Sequence, residues 1–123
     1  MGLFSGLMGH ASEVSSEDIQ QEYIRILANN EIVERAYKLI RDVMIFTNKR
    51  LILIDKQGVT AKKIEYLSIP YRSIERFSVE TVGHFDLDAE LNIWVRGMEE
   101  PITKEFNSSL DIYEVQSVLA KYI

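Results

Sequence analysis

His84-Phe85-Asp86-Leu87-Asp88 puts one imidazole and two carboxylates within five residues, a set with the donor chemistry of a divalent-metal site. Three ligands without surrounding partners to orient them form a weak pattern, and a polar loop between strands explains the same residues. The other histidine, His10, lies in a Gly- and Ser-rich opening segment. The 123 residues include no cysteine, which excludes disulfides, thiolate metal sites and a cysteine nucleophile. No nucleophile elbow surrounds any serine, and the six glycines form neither a dinucleotide fingerprint nor a P-loop. Glu99 and Glu100 pair two carboxylates, but in a turn, where solvated charge is the ordinary explanation. The chemistry therefore points to binding rather than catalysis, with no cofactor and no resident metal.

Charge is distributed unevenly. The net charge of −5 argues against nonspecific nucleic-acid binding. Residues 35–76 nevertheless hold ten basic against four acidic residues, a net +6, while the flanks hold four against fifteen, a net −11. A basic middle between acidic ends suits an anion site or head-to-tail contact between unlike surfaces. The opening Met1-Gly2-Leu3-Phe4-Ser5-Gly6-Leu7-Met8 lacks a basic n-region, and no run approaches the roughly 20 apolar residues of a membrane span. A cytoplasmic location is the expectation.

The elements that would carry these groups follow from periodicity. Residues 1–14 read as a flexible segment. Ser15 and Asp18 stand at capping-box spacing before Ile19, Tyr23, Ile26 and Leu27, the stripe of an amphipathic helix over 15–28. Seven strand-like segments follow, beginning with 32–40, Val43–Phe46 and Leu51–Ile54; Asn48 supplies a residue tolerant of a left-handed turn between the last two. A fourth strand, Lys62 to Tyr71, bends near Pro70, and a break in the alternation of Ile74–Val82 predicts a bulge. Leu91, Ile93 and Val95 alternate inward, leaving Trp94 outward, as an interface anchor or packed under the N-terminal helix. Ser108 and Asp111 then open a helix over 109–122 with a stripe of Ile112, Val115, Leu119 and Tyr122. Strands in succession closed by a helix mean an α+β fold or a capped barrel.

Strands 43–46 and 51–54 are apolar on both faces, so the outer face needs a cover, either the N-terminal helix or a neighbouring subunit. Each large apolar side chain so covered contributes roughly 1.5–3 kcal/mol.

The order of elements, together with Thr47-Asn48-Lys49-Arg50-Leu51-Ile52-Leu53, Ile69-Pro70-Tyr71-Arg72-Ser73-Ile74 and Leu91-Asn92-Ile93-Trp94-Val95-Arg96-Gly97, resembles the bacterial pleckstrin-homology (PH) domain family over residues 17–123. The resemblance implies a mainly β (α+β) fold. Its features are a bent seven-stranded antiparallel PH-like barrel capped by the C-terminal helix, with an additional N-terminal helix, in a single domain spanning 15–123. It also implies assembly into ring-like oligomers, without an established ligand for most members. The chain departs from eukaryotic PH domains in carrying its one Trp on the sixth strand rather than the closing helix, and no basic phosphoinositide motif maps onto it. In a PH topology the loops joining strands 1–2, 3–4 and 6–7 meet at the open end. Lys38 and Arg41 would then lie near Lys56, Lys62 and Lys63 as an anion site, with Glu99 and Glu100 at the same end.

Two functions are expected. The first is a self-assembling homo-oligomeric scaffold that engages a protein partner, with Met44, Phe46, Ile52, Ile54 and Trp94 as interface candidates. The second is a membrane-recruitment module that binds anionic lipid through the basic set.

Overall fold

The computed structural model describes residues 12–39, 42–57, 63–81, 89–106 and 111–123. The β-branched and aromatic runs fold into two antiparallel sheets. Strands β1 (Ser12–Glu13), β2 (Val33–Lys38), β3 (Asp42–Thr47), β4 (Arg50–Gln57) and β5 (Lys63–Pro70) make a five-stranded meander in chain order. Strands β6 (Ile74–Thr81), β7 (Ala89–Val95) and β8 (Ile102–Phe106) make a second, three-stranded meander. The seven strands expected from sequence are β2–β8. The predicted bulge is present as a register shift between Ile74 and Arg76, and β2 carries another between Val33 and Arg35.

Residues 12–14, read from sequence as part of a mobile segment, instead extend the first sheet. Ser12 pairs with Lys38, Glu13 pairs with Tyr37, and the Val14 amide donates to the Ala36 carbonyl at 3.0 Å. The outer edge of β2 has free backbone groups there, and pairing satisfies them.

Two apolar clusters lie on opposite faces of the first sheet. The inner one joins Tyr37, Met44, Phe46, Leu51, Leu53 and Ile69 to Leu91, Ile93 and Phe106 of the second sheet. The C-terminal helix α2 (Ile112–Tyr122) closes it with Ile112, Val115, Val118 and Leu119. Its N-cap is Asp111, whose carboxylate accepts from the Tyr113 and Glu114 amides at 3.0 and 3.2 Å; Ser108 lies outside the described residues. Phe46, Tyr122 and Tyr71 stack in a column, with centroids 5.6 and 4.5 Å apart, that fixes the last turn of the helix to the barrel.

The outer cluster answers the question of the doubly apolar strands. Val33, Ala36, Val43, Ile45, Ile52 and Ile54 are covered within the same chain by Ile19 and Tyr23, with Val14, Ile26 and Leu27 at the margin. The cover is shorter in α-helix than its stripe suggests. Helix α1 runs Ser16–Glu22, capped by Ser15, and a 3₁₀ turn over Ile24–Ile26 replaces the expected α-helix to residue 28. The tighter i→i+3 bonds keep Ile26 and Leu27 on the sheet while the chain bends back toward β2. The Gln20 side chain secures that bend, donating to the Glu31 carbonyl at 3.1 Å and accepting from the Val33 amide at 2.7 Å.

Candidate functional site

The register fixes which polar groups share each end of the barrel. At one end β2 and β4 finish while β3 and β5 begin, placing Lys38, Asp42, Asp55, Lys56 and Lys63 along one rim of the sheet. Alternation then divides them. Lys38 pairs with Val43 and Lys56 is in phase with Ile52 and Ile54, so both stand on the outer face with the N-terminal cover. Lys63 pairs with Gln57, in phase with Leu51 and Leu53, on the opposite face. Strand spacing separates the Cα atoms of Lys38 and Lys56 by about 12 Å. The expected basic set is thus split; its remaining members, Arg41 and Lys62, lie outside the described residues, as do His10, His84, Asp86 and Asp88.

What this end does bring together is a cluster that sequence reasoning missed. Asp42 and Asp55 are direct cross-strand partners on the inner face, and Lys104 of β8 reaches Asp42 Oδ2 at 3.2 Å from the second sheet. The Lys104 and Asp42 side chains are only 12% and 21% exposed. Burial pushes the Asp42 carboxyl above its ordinary range, and Asp55 adds to the rise by repulsion and by hydrogen bonding; Lys104 opposes it. Lys104 was legible only as one member of an alternating strand, in phase with Ile102 and Phe106.

At the other end of the sheet a second cluster forms around Glu31, whose side chain is 1% exposed. Its carboxylate accepts from Arg50 Nε at 2.8 Å and Nη2 at 3.0 Å, from the Thr47 hydroxyl at 2.7 Å and from the Ala28 amide at 2.9 Å. Arg50 also donates to the Ile26 carbonyl and to Ser68 Oγ. Burial alone would raise the Glu31 pKa. Arg50, Ala28 and Thr47 outweigh it and hold the carboxyl down, from 4.5 to about 2. The turn beneath it is built by side chains. Thr47 Oγ1 accepts from the Lys49 and Arg50 amides at 3.0 Å, and Asn48 ties the Ile32 amide and the Asn30 carbonyl to the hairpin. Asn30, at φ 62°, takes the left-handed conformation expected of Asn48.

The interface candidates also move. Met44 and Phe46 are buried in the barrel core, and Ile52 and Ile54 lie under the N-terminal cover of the same chain, so none of the four reaches a surface open to a second copy. A sheet that is apolar on both faces buries both sets; alternation alone could not say which was inward. Trp94, half-buried on the outer face of the second sheet, packs neither under α1 nor bare to solvent: the guanidinium of its cross-strand partner Arg76 lies 4.4 Å from its ring centroid. Among the described residues, the large apolar side chains that remain exposed on a strand are Ile64 and Tyr66 of β5, at 38% and 49%. Among the described residues β5 is bonded to β4 alone, which makes it an open edge.

The sequence of this chain, which folds into two antiparallel sheets closed by a C-terminal helix, matches the bacterial PH domain family over residues 2–123. The chain belongs to this family. YjqA, an uncharacterized protein of Bacillus subtilis strain 168, is 55% identical over 121 residues, covering 98% of this chain and 97% of its own. A pleckstrin homology domain from Shewanella amazonensis SB2B superposes with a TM-score of 0.82 at 50% identity, over 98% of both chains. A pleckstrin-homology protein of the duf1696 family from Shewanella loihica PV-4 gives 0.81 at 48%, over 93% of this chain and 97% of that one. The PH fold expected from sequence is therefore the fold of this chain. Among the described residues no helix is long and apolar enough to cross a membrane.

Proposed function

We propose that this PH domain is a non-catalytic interaction module that assembles with further copies of itself through the edge of β5 and presents the assembled barrels to a protein partner. The observation that carries this reading is the open β5 edge with Ile64 and Tyr66 exposed on one face. An edge strand offers unpaired N–H and C=O groups, and apolar side chains on it favour pairing with another chain unless charge or a bulge prevents it. The flanking Lys63 and Glu65, also exposed, provide charges of both signs that can fix the register of such a pair. If the second copy uses a different edge in reply, the contact is head-to-tail and closes into a ring when its rotation allows. The buried polar side chains at the barrel ends are engaged with one another, Glu31 with Arg50 and Asp42 with Lys104, which favours binding over chemistry.

Headgroup binding through Lys38, Arg41, Lys56, Lys62 and Lys63 has less support. Lys38 and Lys56 face away from Lys63, and Asp42 and Asp55 share their end of the sheet.

Light scattering after size-exclusion chromatography tests the proposal. The expected result is a discrete assembly for the wild type and a monomer of unchanged thermal midpoint for the double variant Ile64→Lys, Tyr66→Lys. A wild type that runs as a monomer at all concentrations would sink it.

A further inference from the structure

The Glu31 end of the molecule holds a cleft of about 490 Å³ between the segment after α1, the β3–β4 turn and the end of β5. That volume lies within the range of small-molecule sites. Ile26, Leu27 and Pro70 give it an apolar wall; Lys49, Arg72 and Ser68 give it a polar rim. The charges of this rim are not equivalent. Arg50, deeper in the cleft, is neutralised by Glu31. Lys49 and Arg72 are exposed, and among the described residues neither side chain has an ion pair or hydrogen bond. The cleft therefore carries two uncompensated positive charges beside an apolar surface.

Two more donors converge there. Ser68 Oγ accepts from Arg50 Nη1 at 2.7 Å, so its own proton is free to donate. Arg50 has five N–H groups and uses four, on Glu31 twice, Ser68 and Ile26, leaving one on Nη1. The Glu31 latch holds Arg50 in place before any ligand arrives, which lowers the cost of ordering it on binding.

We propose that this cleft binds a phosphate monoester with an apolar body, its dianionic group between Lys49 and Arg72 and its body along Ile26, Leu27 and Pro70. Two unpaired cations with hydroxyl and guanidinium donors match a doubly charged acceptor with three oxygens. The apolar wall favours an ester over inorganic phosphate. The site is at the opposite end of the sheet from Lys38, Lys56 and Lys63, and it meets the β5 edge only at Ser68 and Pro70.

Calorimetric titration of the full chain with phenyl phosphate is the test, with inorganic phosphate as the bare-charge comparison. The expected result is one site per chain, at least tenfold tighter for phenyl phosphate than for inorganic phosphate. The double variant Lys49→Gln, Arg72→Gln should weaken binding tenfold or more at an unchanged thermal midpoint. The double variant Lys38→Gln, Lys63→Gln, at the other end, should bind as the wild type does. Cosedimentation with vesicles containing phosphatidic acid separates the sources of the group: vesicle binding that needs Lys49 and Arg72 assigns it to a lipid headgroup, and phenyl phosphate binding without vesicle binding assigns it to a soluble compound. Binding of neither probe, equal affinity for inorganic phosphate, or binding that survives loss of Lys49 and Arg72 overturns the proposal.

Discussion

The two ends of the first sheet solve the same problem, a carboxylate removed from water, in opposite ways. Glu31 receives four hydrogen bonds from three residues, and its pKa falls to about 2. Asp42 receives one lysine and faces a second carboxylate across the strand, and its pKa rises. Burial pushes both carboxyls the same way; the number and charge of the donors decides the outcome. The Glu31 end is a latch that joins the N-terminal cover, the hairpin turn and β5. The Asp42 end is under-supplied with donors, and its ionised form is held at a cost.

The comparison breaks most readily at Arg50. Arg50→Met leaves the Glu31 charge buried with only the Thr47 hydroxyl and the Ala28 amide, and should lower unfolding stability by about 3–5 kcal/mol in a urea titration. A loss below about 1 kcal/mol would mean that the latch is ornamental.

Acidification tests the sign of each end. Because the folded pKa of Glu31 is depressed, its contribution is present above pH 4.5 and is lost as pH falls toward 2. The stability gap between wild type and Glu31→Gln should therefore close by about 3 kcal/mol between pH 6 and pH 2. Asp42 works in the other direction. Its raised folded pKa favours folding while it is protonated, and that advantage fades as pH rises through the ordinary 3.8 to the higher folded value. A gap that stays constant with pH would remove Glu31 from the account.

The smallest expected effect sharpens the other end. Asp55→Asn keeps a hydrogen-bonding partner opposite Asp42 and removes the repulsion. It should raise stability at pH 7 by about 1 kcal/mol, read from the thermal midpoint. Lower stability would show that Lys104 depends on both carboxylates.

Much of the fold was written in local pattern. The stripe from Ile19 to Leu27 announced an amphipathic cover, and the doubly apolar Val43–Phe46 and Leu51–Ile54 announced the face beneath it. The ends were harder to read, because their partners are distant in the chain. Glu31 follows Asn29-Asn30 in what reads as a solvated turn, yet its donors Thr47 and Arg50 are 16 and 19 residues away. Lys38, Lys56 and Lys63 looked like one cluster because each sits near a turn. Only the register, which loop lengths do not reveal, sends Lys63 to the other face. Lys104 gave a fainter hint: a charged residue at an inward position of an alternating strand needs a buried partner.

The cover has a consequence for synthesis. Helix α1 has seven residues, too few to persist alone in water, and the face that holds it is not complete until Ile54 has been made. The chain therefore leaves the ribosome with its cover ahead of its surface. The β3–β4 hairpin, closed by a two-residue turn, has the most local contacts to form, and Ile19 and Tyr23 must wait unstructured for it. Until that hairpin forms, the cover has no surface to lie on, and the faces of β3 and β4 that it will bury stay bare.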